Sequence, residues 1–239
     1  MMRALDLFSC IGCHAIGFGR AGISTVALCE INPWRRARLA EQFPETPIHD
    51  DVRTLVAPPS EILIGGPPCQ RTSVAAAIHG YRSGESLWPH MLRVGLDVGA
   101  EWIVVEQPPG NAAWEAEVGD DLSDAGFHVA RLEFGASDIG APYLRRRVFL
   151  VACSDLPRLA VAWRSLPSAI AGVKRAAIAR GDWDAAKLQR LPVDARSAGE
   201  VGGLASRERR QRIEALGDSN PPHMAEAIGR AIMAARGGE

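Results

Sequence analysis

Of the 239 residues 47% are apolar, enough for a sizeable core, and no run of ~18 apolar residues is present to span a bilayer. Five cysteines, an odd number, with no basic segment and apolar stretch at the N-terminus, argue against a disulfide framework and point to reduced thiols in a cytoplasmic protein. The net charge of −1 hides a segregation: residues 1–140 hold ten Lys/Arg against eighteen Asp/Glu, and residues 141–239 hold seventeen against ten, the pattern of a polyanion-binding part joined to an acidic body.

Ala4 to Phe8 reads as a short buried strand. It leads into a glycine-bearing loop, Ser9-Cys10-Ile11-Gly12-Cys13, followed by Gly17 and Gly19, the strand, loop and helix order that cradles nucleotides. Thr25 to Glu30 is a second strand ending in an acid, with Asn32-Pro33 opening a helix through Arg35, Leu39 and Phe43. An acid about 20 residues after the glycine loop is placed to accept both ribose hydroxyls of a nucleoside cofactor. His49 to Val52 close a third short strand, where Asp51 can receive the exocyclic amine of an adenine.

Ile62-Leu63-Ile64 make a fourth strand, and Gly65-Gly66-Pro67-Pro68-Cys69-Gln70 then forces a rigid turn. One thiol is thereby left at the carboxyl end of a buried strand, where open α/β sheets hold their ligands, so Cys69 is a candidate nucleophile. Residues 71–86 lack apolar periodicity, contain Gly80, Ser83 and Gly84, and read as a mobile lid loop. Leu87 to Val98 is an amphipathic helix, and Glu101 to Glu106 a fifth buried strand that again ends in an acid.

Residues 112–125 read as a helix, Phe127 to Phe134 as a strand, and Val148 to Val151 as its hairpin partner. Arg145 and Arg147 precede that last strand and are expected on one face of an extended chain. The pattern predicts an α/β fold with a mixed, mostly parallel sheet and helices on both faces. From Cys153 to Ala205 the texture changes, with Pro157, Pro167, Pro192 and scattered arginines, and a small separate lobe is expected. Arg207 to Ile213 and Met224 to Ala234 return to helix around Gly217-Asp218-Ser219-Asn220-Pro221-Pro222. The expected organisation is a catalytic domain at 1–152, a recognition lobe at 153–205 and C-terminal helices at 206–239. Trp102, Trp114 and the Met224-Ala225-Ile228-Ala231-Ile232 stripe are expected in the core, and the histidines, which show no paired ligand spacing, are assigned to packing.

Taken in order, these stretches resemble the DNA (cytosine-5)-methyltransferase family. Asp6 to Cys13 with Gly17 is similar to its first motif, Gly65 to Gln70 matches its nucleophile motif without change, and Glu106 stands in its Glu-Asn-Val motif. Arg145 and Arg147 match its paired arginines, and Gly217 to Pro222 its late Gly-Asn-Ser motif. The resemblance implies a Rossmann-like S-adenosylmethionine-dependent methyltransferase fold. It also implies S-adenosylmethionine contacts from Asp6, Phe8, Ser9, Ile11, Gly12, Glu30, Ile31, Asp51, Val52, Pro67 and Ser219. Cys69 would add to carbon 6 of a cytosine, Glu106 would partner ring nitrogen 3, Arg147 would bind oxygen 2, and Arg145 would hold the turn or a phosphate. Carbon 5 is too weak a nucleophile without that addition, and the thiol must lose its proton from an ordinary pKa of ~8.5.

The base must leave the duplex for this chemistry, at a cost of a few kcal/mol. Double-stranded DNA is the implied partner of an expected monomer. Gln70, Arg71, Ser73, Arg82, Arg164, Lys174 and Arg175 are the expected DNA contacts, Arg158, Lys187 and Arg190 further phosphate ligands, and the small lobe suits a site of about two to four bases.

The chain departs from the family pattern at Cys10 and Cys13, where glycines are usual, at Gln107 for Asn, at Asp218 for Asn, at Tyr143 for Gln and at Arg71 for Pro. Cys10 and Cys13 lack a second ligand pair at matching spacing, so no metal is expected. An RNA cytosine-5 methyltransferase, a thymidylate-synthase-like enzyme and a catalytically idle DNA-binding relative are the competing readings.

Overall fold

The computed structural model describes residues 1–68, 86–184 and 206–237. Among these, strands β1 (Arg3–Leu7), β2 (Ser24–Cys29), β3 (Ile48–His49), β4 (Ile62–Gly65), β5 (Trp102–Gln107), β6 (His128–Gly135) and β7 (Arg146–Cys153) form one sheet, ordered β3-β2-β1-β4-β5-β7-β6. The strands from β3 to β5 run parallel, and β7 lies antiparallel between β5 and β6. Strand order reverses between β1 and β4, so a crevice opens beyond their carboxyl ends. Leu7 and Gly65, the last residues of these two strands, are register partners there.

Alternation along the buried strands sends side chains to two cores. Ile62, Ile64, Trp102 and Val104 join Phe18 of α1 (Cys13–Arg20), Leu159 of α5 (Leu156–Ala179) and Met224 and Ile228 of α7 (Pro222–Ala234). Leu63, Ile103 and Val105 join Met91 of α3 (Trp88–Asp97) and Val118 of α4 (Ala112–Asp124) on the other face. Each face buries several large apolar side chains at ~1.5–3 kcal/mol each. Trp102, Trp114 and the Met224 to Ile232 stripe are buried, as their spacing predicts.

Local chemistry sets the helix starts. Asn32 caps α2 (Pro33–Gln42) by accepting from the amides of Trp34 and Arg35, with Pro33 in the first turn. Gly17 is fixed by packing: a Cβ there would lie 2.2 Å from the carbonyl oxygen of Pro222, so α1 and α7 cross where only hydrogen fits.

The stretch from 153 onward differs from the separate lobe expected of it. Over Leu156–Ala179 it is a single helix, capped by Asp155 accepting from the Arg158 amide at 2.8 Å, with Pro157 in its first turn and Pro167 inside it. Its Leu159, Ala162, Leu166 and Val173 belong to the same core as the sheet. The prolines mask this periodicity in the sequence, although a proline in the first turn costs a helix nothing. Residues 185–205 lie outside the described residues. Helix α6 (Ser206–Asp218) leads into α7 through the 219–221 turn. Among the described residues no helix is long and apolar enough to cross a membrane.

Candidate active site

Cys69, Gln70, Arg71, Ser73 and Arg82 lie outside the described residues, together with the rest of the expected lid through residue 85. The turn that presents Cys69 is described as far as Pro68. Gly66 brings that turn against β5: a Cβ at Gly66 would meet the Glu106 Oε2 at 2.8 Å. Glu106 is buried at the carboxyl end of β5, and its Oε1 lies 2.5 Å from the Arg147 Nε, both side chains being about nine-tenths covered. A charge pair this buried resists separation, because either group alone would stand desolvated without a counter-charge.

The side-chain amide of Gln107 donates to the Pro67 carbonyl oxygen. The longer amide at this position therefore braces the Gly65 to Pro68 turn from the neighbouring strand. Arg145 departs from the extended conformation expected of it, with φ of +33°, and precedes β7 rather than belonging to it. Its guanidinium donates instead to the carbonyl oxygens of Gly217 and Ser219, pinning the loop between α6 and α7. The two arginines thus serve different partners and do not share a strand face.

One pocket joins these elements, lined by Phe8, Ser9, Cys10, Cys13, His14, Gly66, Glu106, Asp218, Ser219 and Asn220. It sits at the strand-order reversal. Phe8 and Cys10 take positive φ of 55° and 50°, and Gly12, ahead of α1, has φ of 80°. Positive φ strains a residue with a Cβ by roughly 1–3 kcal/mol, so the loop is held against its own preference. The hold comes from Glu30, whose carboxylate accepts from the amides of Cys10 and Asn32, each at 2.8 Å. Ser9 Oγ adds a bond to the Asp6 carbonyl.

Beside Glu30, the apolar Ile31 is 62% exposed. Val52, expected beside the cofactor, is instead buried in the second core. Asp51 is engaged by Arg53 through contacts of 2.7 to 3.1 Å, and these hydrogen bonds lower its pKa to about 2. Burial raises the thiols of Cys10 and Cys13 to about 12 and about 11, so neither is a ready thiolate, and Cys10 Sγ donates to the Ala215 carbonyl. Asp218 is ion-paired with Arg35 at 2.5 Å.

Of the expected DNA contacts, Arg164, Lys174 and Arg175 are exposed on α5, whereas Arg158 is tied to Glu101 at 2.6 Å. Sequence reasoning missed two pocket residues, His14 and Asn220. They stand 206 positions apart with their side chains 3.3 Å apart, and no local pattern announces such a contact.

The C-5 cytosine-specific DNA methylase family matches residues 2–166. The Type II methyltransferase M2.BsuMI of Bacillus subtilis is 31% identical over 164 residues, covering 63% of this chain and 42% of its own length. M.HgiDI of Herpetosiphon aurantiacus is 30% identical over 161 residues, with 63% of this chain and 52% of that protein covered. The chain therefore spans about half the length of these curated relatives. A solved structure of a Spodoptera frugiperda DNMT2 variant shares the fold with a TM-score of 0.55 at 20% identity, over 65% of this chain and 51% of the other. The sheet is thus that of the S-adenosylmethionine-dependent methyltransferases, and the chain belongs to the C-5 cytosine-specific DNA methylase family.

Proposed function

We propose that this protein methylates carbon 5 of cytosine in double-stranded DNA, with Cys69 as its nucleophile. The observation that carries the reading is the buried Glu106 and Arg147 pair, of which Glu106 lines one pocket with Phe8, Ser9, Cys10 and Cys13 at the switch point of the sheet. A carboxyl group that donates once protonated, fixed beside a guanidinium, suits the two acceptors, nitrogen 3 and oxygen 2, on the edge of a cytosine. The nucleophile turn is braced onto the same strand end by Gln107.

The residues present fit S-adenosylmethionine. Glu30 uses its carboxylate oxygens only on two backbone amides and retains lone pairs for a pair of hydroxyls, and Ile31 offers an exposed apolar side chain beside it. Phe8, Ser9 and Ser219 would line the remainder of that site, with Asp51 as the expected partner of the adenine amine. When bound, the cofactor supplies the methyl group that carbon 5 takes up.

The chain's own groups do the rest. Cys69 gives up its proton to water and its sulfur bonds to carbon 6, opening the carbon 5–carbon 6 double bond and pushing electrons toward carbon 5 and nitrogen 3. Glu106, which takes up a proton from water as the base enters, donates it toward nitrogen 3 as negative charge builds there, and Arg147 donates to oxygen 2. Such fixed partners for developing charge are worth about 10²–10³ in rate each. Loss of the carbon 5 proton then restores the ring double bond and expels the Cys69 thiolate. Arg164, Lys174 and Arg175 on α5 would contact phosphates, which position the protein without reading sequence.

Transfer of a labelled methyl group to duplex DNA, to tRNA and to free deoxycytidine monophosphate tests this reading. Label in the duplex alone, lost in Cys69→Ser, is expected. Label in tRNA alone would establish an RNA enzyme on the same pocket, and label in none would leave a binding protein.

A further inference from the structure

His14 is buried at the first turn of α1, facing the pocket. Its Nδ1 lies 3.3 Å from Asp6 Oδ1, and its Nε2 lies 3.3 Å from the side-chain amide of Asn220. Asp6 belongs to β1, His14 to α1 and Asn220 to the turn between α6 and α7, so this three-member chain ties the first strand to the C-terminal turn through the first helix. Asp6 is wholly buried, and among the described residues neither its Oδ2 nor the Oδ1 of the buried Asn220 has a hydrogen-bond partner. A buried carboxylate with an imidazole as its ion-pair partner favours the doubly protonated ring. Turning the Asn220 amide then lets Oδ1 accept from Nε2, which satisfies one of the two orphaned atoms; the oxygen and nitrogen of an amide are interchangeable in shape.

We propose that His14 and Asn220 are a positioning pair that locks the 217–221 turn against the Phe8 to Cys13 loop and so sets the shape of the cofactor-binding pocket. The inference rests on the reading of that pocket given above. Neither residue need touch the reacting atoms. Arg145 pins the same turn from the outside, through Gly217 and Ser219, while Arg35 holds Asp218. The His14 contact is made from within the pocket, beside the hydrogen bond between Cys13 and Ser219.

The groups facing His14 are Asp6 of β1 and Glu106 of β5, with Glu106 itself paired to Arg147, and with Cys13, Asp218 and Ser219 around the same pocket. Burial works against the charged ring, but the hydrogen bond and charge of Asp6, with that of Glu106, outweigh it and raise the His14 pKa. A raised folded pKa contributes stability that is fully present below the ordinary histidine value of ~6.5 and is lost as pH rises through the folded value. The lock therefore loosens on the alkaline side.

The test is a double-mutant cycle on the full chain, read twice for His14→Leu, Asn220→Ala and the pair. Thermal unfolding without ligand reads the contact itself. Calorimetric titration with S-adenosylmethionine reads its use. Each single variant is expected to weaken cofactor binding about ten-fold, with the double no worse than either single, and to raise the cofactor KM while kcat changes little. Asn220→Asp, which keeps an acceptor, is expected to match wild type at pH 6 and to lose affinity more steeply toward pH 9 than Asn220→Ala. Independent, multiplicative losses, or folded single variants with unchanged affinity, would overturn the proposal. Coupled unfolding in a wild type that binds no S-adenosylmethionine would overturn the cofactor role and the functional reading together, whereas wild-type binding without coupling sinks the pair alone. Should His14→Leu not fold, His14→Gln takes its place in the same cycle, with the same outcomes for and against the pair.

Discussion

At the carboxyl ends of β4 and β5 the pocket wall is built from groups already paired with one another: Glu106 with Arg147 at 2.5 Å, and Gln107 with the Pro67 carbonyl. At the ends of β1 and β2 the opposite wall is held by partners that a ligand would have to share or displace. Glu30 accepts from backbone amides, Asp51 is clamped by Arg53, and two residues stand at positive φ. The first wall is rigid and desolvated, suited to stabilising charge that develops during a reaction. The second is strained and partly exposed, suited to an exchangeable ligand. The difference separates rate from affinity, and substitutions on the two walls should divide accordingly.

The largest effect is expected at Glu106. Glu106→Gln removes the counter-charge of a buried guanidinium and the proton partner of the ring, so single-turnover methylation should fall about 10²–10³-fold. Its unfolding free energy should fall by about 3–5 kcal/mol, as for a buried pair deprived of one charge. Cofactor affinity, measured by titration, should barely change; a large loss there would erase the distinction between the walls.

Next comes Gln107→Leu, which frees the Pro67 carbonyl and is expected to slow single-turnover methylation about ten-fold while DNA binding holds. Partial recovery in Gln107→Asn, whose amide is shorter by one methylene, would show that the brace acts through reach. A Leu variant as fast as wild type would show that the turn is rigid without it.

On the other wall, Arg53→Ala should raise cofactor affinity a few-fold by releasing Asp51. The pair's own contribution is lost only as pH falls through the Asp51 value of about 2, so between about pH 5 and pH 8 it should add no pH dependence to binding. Any slope in that range must come from elsewhere, His14 being the group placed to supply it.

The smallest effect is expected at Cys10, where φ of 50° strains a side chain as it would not strain glycine. Cys10→Gly trades relief of that strain against a lost thiol contact to Ala215 and should shift stability by no more than about 1 kcal/mol. Cys10→Val, branched at Cβ, should destabilise by about 2 kcal/mol or more, read by denaturant unfolding.

The first wall was the more legible in the sequence. Strands with continuous apolar runs, such as Ile62 to Ile64 and Trp102 to Val105, announce burial on both faces, and an acid at the end of such a run has few places to go but a site. Asn32-Pro33 likewise fixed the start of α2 from local chemistry alone. Where the sequence misled, the competing signal was local too. Pro157 and Pro167 made α5 look irregular, yet its core is spelled by Leu159, Ala162, Leu166 and Val173 at helical spacing. Arg145 and Arg147 looked like strand neighbours, but a positive φ at Arg145 turns the chain before β7 begins. His14 and Asn220 carried no signal, because their partnership exists only once the C-terminal turn folds back over the first helix.

The bond proposed between Cys69 and the cytosine it modifies is open to direct trial with a duplex carrying 5-fluorocytosine. With fluorine at carbon 5 there is no proton to lose, so the protein should be caught as a covalent complex in the presence of S-adenosylmethionine. Mass spectrometry of the digested complex should place the bond on the peptide containing Cys69, and Cys69→Ser should form none while still binding DNA. Failure of the wild-type protein to form the complex, or a bond on any other residue, would contradict the proposed mechanism.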